Sequence, residues 1–465
     1  MGPGMNSACL HRWLDRVPDL LALARAHPDT FPFYLESATG GQLGGHSILL
    51  LSSGETLVRQ PGRAPEGPGD ADSFFGRLEQ WYRELAVPPG AAGDMPFVGG
   101  WFLYLGYEMA AEVEPVLDLP LNRSGLPDAI ACRCPAAVVV HHGAGPGGAD
   151  RAAVVAETPD WLERIAELAK DEAPPRPGTA DPELAEVQAD DPARFEASVH
   201  RIHEYLAAGD VFQVNISRAW QGRFRSAPDP WRLYASLRRA NPAPFAGLMR
   251  WDDAVLLSSS PERLVQVRGR TVQTRPIAGT RPRGADDAHD RALSDELIGN
   301  LKERAEHVML IDLERNDLGR VCRPGSVEVN ELMVVETYAH VHHIVSNVRG
   351  ELAPGAGPID AVKAVFPGGT ITGCPKVRCM EIIAELEAEG RGFYTGSMGY
   401  LGRDGSMDLN ILIRSMLLHG PEFRFRTGAG IVADSVAAQE VKETADKARG
   451  MLLAVETHGR EKNDA

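Results

Sequence analysis

The chain has 465 residues, of which 43% are hydrophobic, and it carries a formal net charge of −16 at pH 7. This length and apolar content predict a globular protein with a large core or two subdomains. The negative charge argues against nucleic acid or an anionic membrane as a partner, because both are bound by clustered Lys and Arg. An anionic substrate would therefore need local positive groups.

The sequence also predicts where the protein resides. No apolar run is long enough to cross a bilayer. The apolar segment at residues 20–26 is too short for a signal peptide, is interrupted by Arg25 and is preceded by Asp19. The six cysteines include no CxxC pair. We therefore expect a cytoplasmic protein with reduced thiols, of which Cys132 and Cys134 are buried.

Composition divides the chain into three regions. Residues 1–170 contain short strand patterns, such as HSILLLSS and AAVVVHH, between Pro/Gly loops. Residues 171–191 form a charged, proline-broken linker. Residues 192–460 begin with a predicted helix from Pro192 to Gly209 and continue with mixed strands and helices. Because βαβ alternation is missing, this order predicts an α+β fold with mainly antiparallel sheets.

An acidic helix is predicted from Asp290 to Leu313. Its apolar stripe comprises Leu293, Leu297 and Leu301. Glu303 and Glu306 stand off that stripe, and His307 follows Glu306. These carboxylates are therefore available for a site at the surface of the helix.

A second acidic helix is predicted after the segment TGAGIVADS at 427–435, with Asp434 or Ser435 as its cap. Glu440, Glu443 and Lys447 then share one face. Taken alone, Glu443 and Lys447 form an ordinary surface ion pair. Carboxylates from the two helices could instead meet on Mg²⁺, which takes one or two protein carboxylates and keeps positions open for substrate.

Several ordered motifs resemble one known family. They are GDVFQVNISR at 209–218, SSSPERL at 258–264, TRPIAGTRPRG at 274–284, KERAEHVMLIDLERNDLGRV at 302–321, HHIVS at 342–346, FPGGTITGCPKVRCM at 366–380, FYTGSMGY at 393–400 and the segment at 427–435. Together they resemble the chorismate-binding enzymes, which include anthranilate, aminodeoxychorismate, isochorismate and salicylate synthases. The resemblance implies two large, mainly antiparallel sheets packed face to face, with helices outside and a core shared by both halves of the chain.

The resemblance also implies a metal and a set of substrate contacts. Mg²⁺ is expected on Glu306 and Glu443, with Glu440 as a nearby or water-mediated third ligand, to neutralise the ring carboxylate of chorismate. Arg414 is expected to bind the enolpyruvyl carboxylate bidentately. The other implied contacts are Tyr394, Lys447, Ala278 and the backbone N–H groups of Gly428, Ala429 and Gly430.

Catalytic roles follow from the same resemblance. Glu262 matches the general acid that protonates the departing C4 hydroxyl, since hydroxide is too basic to leave unaided. Thr280 and His343 match residues that orient the leaving group and the ring. The histidines at 340–343 do not predict zinc, because neighbours on a strand point to opposite faces.

Gln213 bears on the nucleophile. Family members that activate water carry a lysine there, and glutamine cannot act as a base, so we expect ammonia as the nucleophile. No cysteine lies in a glutaminase motif, so ammonia is expected from a separate glutamine amidotransferase subunit.

The product is the more difficult inference. The motif wording favours aminodeoxychorismate synthase component I, which forms 4-amino-4-deoxychorismate for 4-aminobenzoate and folate. Ala278 stands where that type carries a lysine, which leaves anthranilate synthase as the alternative. A non-catalytic chorismate-binding scaffold is a more remote alternative, because it would be expected to lack the acid or a metal carboxylate.

The segment PFYLESATG at 32–40 carries a further expectation. Its residues Leu35, Glu36 and Ser37 resemble the segment with which anthranilate synthases bind tryptophan. The same residues also suit an ordinary strand followed by a polar turn. The sequence thus leaves a tryptophan pocket and a plain structural role both open.

Overall fold

The computed structural model describes residues 9–37, 45–91, 93, 95–170, 182–284, 286–337 and 341–458, without the side chains of Pro146, Thr280, Pro282, Lys302 and Val341. The strands of the first sheet are β1 (Leu10–Trp13), β2 (Phe33–Glu36), β3 (His46–Leu51), β7 (Ala136–His141), β8 (Arg151–Ala156), β9 (Leu184–Ala189), β10 (Gln213–Phe224), β11 (Phe245–Trp251), β12 (Ala254–Ser260), β18 (Gly373–Cys374), β21 (Ser415–His419) and β22 (Glu422–Ile431). Those of the second are β4 (Thr56–Arg59), β5 (Gly100–Leu105), β6 (Ala129–Cys134), β13 (Arg263–Arg268), β14 (Thr271–Thr274), β15 (Ile277–Pro282), β16 (Glu328–Thr337), β17 (Val341–Glu351), β19 (Ser397–Gly402) and β20 (Met407–Asn410).

The helices are α1 (Leu20–Ala26), α2 (Phe74–Leu85), α3 (Ala110–Val113), α4 (Pro159–Leu168), α5 (Pro192–Ala208), α6 (Pro230–Ala240), α7 (Asp287–Gly299), α8 (Leu301–Gly319), α9 (Pro358–Val365), α10 (Lys376–Glu387) and α11 (Ala437–Thr457). Among the described residues, none of these helices is both long and apolar enough to span a membrane.

Both sheets are antiparallel. The first follows the order β1-β8-β7-β3-β2-β11-β12-β21-β22-β10-β18, with β9 also paired to β10. The second follows the order β15-β17-β14-β13-β20-β19-β5-β6-β4, with β16 also paired to β17. Each sheet contains strands from both halves of the chain, which join where β2 pairs with β11 in the first sheet and β5 pairs with β19 in the second.

The two sheets pack face to face. Phe33 of the first sheet stacks on Phe102 of the second, with ring centroids 4.0 Å apart, within a core to which both inner faces contribute. The outer face of the first sheet is covered by α1, α4, α6 and α11. Burial of these apolar side chains is the main favourable contribution to folding, and it confirms the expected α+β fold with helices outside.

The boundary between the halves contains a strand. Residues 171–181 lie outside the described part, but Leu184–Ala189 forms β9 along the edge of β10. The helix predicted next is confirmed as α5, which begins after the Asp191 cap and ends at Gly209. Gly209 has φ 80°, a left-handed value that glycine adopts without steric cost. Cys132 and Cys134 are buried thiols, as expected.

The first acidic segment differs from its prediction, because it forms two helices instead of one. Asn300 separates α7 from α8, and its side-chain oxygen accepts a hydrogen bond from the Glu303 N–H at 3.2 Å. An Asn at this position satisfies an N–H that a helix start leaves unpaired. The stripe is therefore broken: Leu297 is fully buried, whereas Leu301 is 78% exposed.

The predicted cap of α11 was also wrong. Val436 occupies the cap position, and no side chain caps the first turn. Ser435 instead accepts a hydrogen bond from the Val432 N–H at 3.2 Å within the preceding turn. Competition from such local turns is common for serine.

Candidate active site

The candidate site is built on the long pair of strands β10 and β22. Their antiparallel register places Asn215 opposite Gly430 and Ser217 opposite Gly428. Ala429, between the two glycines, is fully buried in the core. Successive residues of a strand point to opposite faces, so the glycines lie on the face away from that of Ala429.

Close approach explains both glycines. A Cβ on Gly430 would lie 2.3 Å from Nε2 of Gln213, and one on Gly428 would lie 2.6 Å from the hydroxyl of Tyr394. Real Cβ atoms do not tolerate such distances. The glycines therefore let Gln213 and Tyr394 pack directly on the β22 backbone.

Glu262 is a buried acid with one strong hydrogen bond. Its side chain is 5% exposed, and the Thr370 hydroxyl donates to its Oε1 at 2.7 Å. Burial raises the pKa of Glu262 to about 7, and the Thr370 bond and the charges of Arg414 and Lys447 limit this rise. A carboxyl with this pKa can hold and release a proton near neutral pH.

Arg414 supplies a positive charge that is not paired with a carboxylate among the described residues. Within the described part of the chain, its guanidinium makes no hydrogen bond or ion pair, although Glu262 and Glu443 lie close enough to act on its charge. Burial lowers the pKa of Arg414. Its φ of 51° is unusual for a residue other than glycine, and strained backbone of this kind often occurs at functional sites.

His343 lies close enough to Arg414 for that charge to act on its ring, whereas His342 has other partners. Burial and the charge of Arg414 lower the pKa of His343 to about 4, so its ring is neutral at pH 7. His342 instead contacts Asp290 at 2.9 Å and Thr337 at 2.8 Å. The expected alternation of these histidines is thus confirmed.

Lys447 ties α11 to β22. Its Nζ donates to the Gly428 carbonyl at 2.9 Å and contacts Glu443 Oε1 at 2.7 Å. The ion pair between Glu443 and Lys447 is therefore present. It lies beside the candidate site, because the charge of Lys447 also reaches Glu262.

Gln213 connects β10 to α8. Its Nε2 donates to Oε1 of Glu306 at 2.7 Å, and its side chain is only 4% exposed. His307, the next residue along α8, is fully buried and bonded to the Ser346 hydroxyl at 2.7 Å. The helix thus directs Glu306 to the site and His307 into the protein.

The carboxylates expected to bind Mg²⁺ lie on two helices, α8 and α11. Among the described residues, no three His, Cys, Asp or Glu side chains are grouped as a metal site. Mg²⁺ is usually coordinated by one or two protein carboxylates, and water and substrate oxygen atoms complete its coordination. Glu306 and Glu443 fit that chemistry, and Glu440, which is 9% exposed, lies one turn before Glu443.

Two further expected site residues lie on β15. Ala278 is buried and pairs with Ile344. Thr280 pairs with His343 through the backbone, but its side chain lies outside the description. A bulge between Ala278 and Thr280 shifts the register there.

Comparison with known proteins follows this geometry. The family model described as chorismate binding enzyme matches residues 31–453. The chain belongs to the chorismate binding enzyme family. Aminodeoxychorismate synthase component 1 of Bacillus subtilis is 40% identical over 91% of both chains. Anthranilate synthase component 1 of Thermus thermophilus is 39% identical over 95% of both.

Solved structures agree with the family. Anthranilate synthase component I from Streptococcus pneumoniae superposes with a TM-score of 0.76 at 32% identity, covering 89% of this chain and 93% of that one. The menaquinone-specific isochorismate synthase of Escherichia coli shares the fold, with a TM-score of 0.72 at 19% identity, covering 96% of this chain and 94% of that one.

Three residues near the candidate site were not predicted from the sequence. Thr370 bonds Glu262 although 108 positions separate them. Glu314 lies beneath Gly369, and burial raises its pKa to about 8. Asn215 follows Gln213 by two positions, which on a strand means the same face. Of these three residues, only Asn215 could have been found from the sequence, through its spacing of two positions from Gln213.

The predicted tryptophan segment borders a separate cavity of about 360 Å³ between the sheets. Leu35, Glu36 and Ser37 line it together with residues of the catalytic half, including Arg263 and Asp408. The carboxylate of Glu36 already accepts hydrogen bonds from Arg238 at 2.6 Å and Tyr234 at 2.7 Å. Tryptophan binding there stays a prediction.

Proposed function

We propose that this chain aminates chorismate with ammonia to give 4-amino-4-deoxychorismate, a precursor of 4-aminobenzoate and folate. One observation carries the choice of nucleophile: Gln213 occupies the site and its amide is committed to Glu306. A carboxamide cannot deprotonate water, whereas ammonia attacks carbon without prior loss of a proton.

Glu262 is suited to be the acid of this reaction. Ammonia forms a new C–N bond, the C4–O bond breaks, and the Glu262 proton leaves with the hydroxyl as water. The new ammonium group then returns a proton to the Glu262 carboxylate. The sum is chorismate and ammonia converted to amino product and water. The pKa of about 7 supports both transfers.

Positive groups support binding of the dianionic substrate. Arg414 has no partner among the described residues, and its planar guanidinium can bind a carboxylate bidentately. Lys447 adds a second charge, and neutral His343 can orient the ring by hydrogen bonding. This arrangement compensates for the net negative charge of the chain.

Mg²⁺ would be held by Glu306 and Glu443, with Glu440 nearby. When bound, the ion would neutralise substrate carboxylate charge and help to fix the substrate. The residues of the chain then have three tasks: Gln213 orients Glu306, Lys447 restrains Glu443, and Arg414 binds the other end of the substrate.

Anthranilate is the second candidate product. Ala278 favours it, because no lysine amine is present at that position to occupy C2. Ammonia addition at C2 with loss of the C4 hydroxyl as water, followed by elimination of pyruvate, would give anthranilate. We place the 4-amino product first on the wording of the QVN, GGTITG and YTGSMGY segments, which outnumber this single position.

Product analysis tests the proposal. The purified chain is incubated with chorismate, MgCl₂ and ammonium chloride, with or without an added 4-amino-4-deoxychorismate lyase, and products are separated by chromatography. We expect 4-aminobenzoate only when the lyase is present. Anthranilate formed without lyase would establish the second candidate, and isochorismate or salicylate would exclude both. Chorismate without enzyme provides the control for spontaneous decay.

A further inference from the structure

Arg391 is a buried arginine, 3% exposed, whose hydrogen-bond donors are all used. Two of its N–H groups bind the Glu387 carboxylate, from Nε to Oε2 at 3.0 Å and from Nη2 to Oε1 at 2.7 Å. The others bind the Ile371 carbonyl at 3.2 Å, the Thr395 hydroxyl at 3.3 Å and the Asn215 carbonyl at 2.8 Å. An arginine has five N–H donors, so the guanidinium is saturated and can take only one orientation.

The charge of Arg391 is balanced by Glu387. A buried guanidinium is costly unless it is paired and hydrogen-bonded. Burial opposes ionisation of Glu387, but the charges of Arg391 and Arg426 lower its pKa, so the carboxylate is ionised at pH 7. Glu387 also accepts hydrogen bonds from the Ser217 N–H at 2.9 Å and the Ser217 hydroxyl at 2.8 Å. The ion pair is thereby anchored to β10.

Two tyrosine rings enclose the guanidinium. Its central carbon lies 4.9 Å from the ring centroid of Tyr107 and 5.6 Å from that of Tyr394, within the range of cation–π contact. The Thr395 hydroxyl, which accepts from Arg391, donates to the Tyr394 carbonyl at 2.6 Å. Arg391 therefore contacts Tyr394 through its ring and, by way of Thr395, through its backbone. The Tyr394 hydroxyl lies 2.6 Å from the point that a Cβ on Gly428 would occupy, at the wall of the candidate site.

A second segment of the site is bound by the same guanidinium. Ile371 ends the 3₁₀ turn Gly369–Ile371, or Thr370 turn. Within this turn, the Thr370 hydroxyl donates to Oε1 of Glu262 at 2.7 Å. Arg391 joins the turn to β10, because it binds a carbonyl of each. One side chain thus connects the partner of the proposed acid, a strand of the site and the tyrosine segment.

We propose that Arg391 is a positioning residue of the candidate site, which holds Tyr394 and the Thr370 turn in place against β10; this inference rests on the proposed function. The planar guanidinium fixes the directions of its five donors. A lysine could keep the charge beside Glu387, but its three donors have no common plane. It could not reproduce both the bonds to the three segments and the stack between the rings.

The experiment compares two arginines that share one carboxylate. In Arg391→Lys, kcat/KM for chorismate should fall at least about tenfold, because small displacements of site residues are costly to catalysis. Arg426→Lys is the matched control. Arg426 binds Glu387 at 3.3 Å and the Ser217 hydroxyl at 2.9 Å, but within the described residues its guanidinium bonds neither the Thr370 turn nor the tyrosine segment. Both variants should be less stable to denaturant, and only Arg391→Lys should lose activity.

A double-mutant cycle tests whether Arg391 acts through Tyr394. Tyr394→Phe removes the hydroxyl expected to contact substrate and should itself lower kcat/KM for chorismate. If Arg391→Lys already displaces that hydroxyl, the double variant should be within about twofold of Arg391→Lys. A purely structural role of Arg391 would instead multiply the two losses.

A milder pair of variants covers the case in which Arg391→Lys does not fold, as judged by circular dichroism. Thr395→Val keeps the shape of the side chain but removes the hydroxyl between Arg391 and the Tyr394 carbonyl. It should raise the KM for chorismate at least about threefold. Thr395→Ser keeps the hydroxyl and should have a KM close to that of the wild type.

The outcomes separate failure of this inference from failure of the proposed function. A smaller loss than expected in folded Arg391→Lys, an equal loss in Arg426→Lys, an unaffected Tyr394→Phe or multiplied losses in the cycle would overturn the positioning role. If only the Thr395 pair can be measured, equal KM values for chorismate would do the same. Wild-type enzyme that does not consume chorismate with ammonium would overturn the proposed function, whereas formation of anthranilate would leave the kinetic comparisons valid.

Discussion

Burial of one carboxyl supports its proposed role as the acid. Glu262 lies between β12 and β13 in the chain, accepts a hydrogen bond from the Thr370 hydroxyl, and has a pKa raised to about 7 by desolvation. A glutamate side chain exposed to water would be ionised at a pH of about 7. Position and burial together convert an ordinary glutamate into a group that can protonate a leaving hydroxyl.

Activity should therefore depend on the protonated form of Glu262. At a fixed concentration of free ammonia, kcat/KM for chorismate should fall above about pH 7 as Glu262 loses its proton. Glu262→Gln should reduce kcat by roughly 10²- to 10⁴-fold and abolish this pH limb in the residual activity. An unchanged pH profile in the variant would assign the acid to another group.

The carboxylate on α8 predicts a metal effect. Glu306→Gln removes one negative charge but keeps the side-chain size, so the Mg²⁺ concentration needed for half-maximal activity should rise at least tenfold and kcat should fall. Glu443→Gln should act in the same direction. Asp312→Asn, an exposed position on the same helix, is the matched control. Wild-type Mg²⁺ dependence in both glutamate variants would refute the assignment.

At the scale of single residues, the motifs identified Glu262, Gln213 and Arg414 as site candidates. In the structure the charge of Arg414 acts on Glu262, and Gln213 packs against Gly430 of β22. The motifs did not identify Thr370, because a hydrogen bond across 108 positions leaves no local pattern. Packing of the whole chain creates that contact.

At the scale of elements, strand β22 contributes to the site through two glycines, which have no side chains. Gly428 and Gly430 let Tyr394 and Gln213 rest on its backbone, and Lys447 secures it to α11. Helix α5 could be predicted from the sequence because the burial of one helix face repeats locally. The break at Asn300 was not predicted, because the leucine spacing continues across it while the backbone turns.

A methyl group on β22 should disturb the site. In Gly428→Ala, the added Cβ would lie 2.7 Å from the Ile216 carbonyl, a backbone atom that cannot rotate away. We expect a loss of about 1–3 kcal/mol in the free energy of unfolding and a rise in the KM for chorismate. Gly319→Ala, which meets no atom within 4 Å, is the control. Chemical denaturation and steady-state kinetics measure the two effects, and equal behaviour of both variants would contradict the packing argument.

On the scale of the whole molecule, both halves of the chain build both sheets, so the cavity at Leu35–Ser37 and the candidate active site share one framework. Arg263, which immediately follows Glu262, lines the cavity and forms two bonds with Asp408, at 2.8 and 2.9 Å. A ligand in the cavity would therefore contact the residue next to Glu262, the proposed acid.

Tryptophan should act through this cavity if the predicted pocket is functional. We expect L-tryptophan to raise the melting temperature, since a ligand that binds only the folded state stabilises it, and to reduce turnover of chorismate. Ser37→Leu, which fills part of the cavity, should remove both effects, whereas Ser53→Leu, at an exposed position outside it, should not. No shift with millimolar L-tryptophan in the wild type would leave the segment a purely structural role.

The source of the nitrogen depends on whether any part of the chain can act as a glutaminase. Its cysteines are poor candidates for a glutaminase nucleophile: Cys132 and Cys134 lie buried in the core, and burial raises the pKa of Cys374 and Cys379, which disfavours the reactive thiolate. The isolated chain should therefore consume chorismate with ammonium but not with glutamine. Adding a glutamine amidotransferase subunit should restore glutamine-dependent turnover, and inactivating that subunit's nucleophile should abolish it while ammonium still supports the reaction. Release of glutamate by the isolated chain would show instead that it contains its own glutaminase.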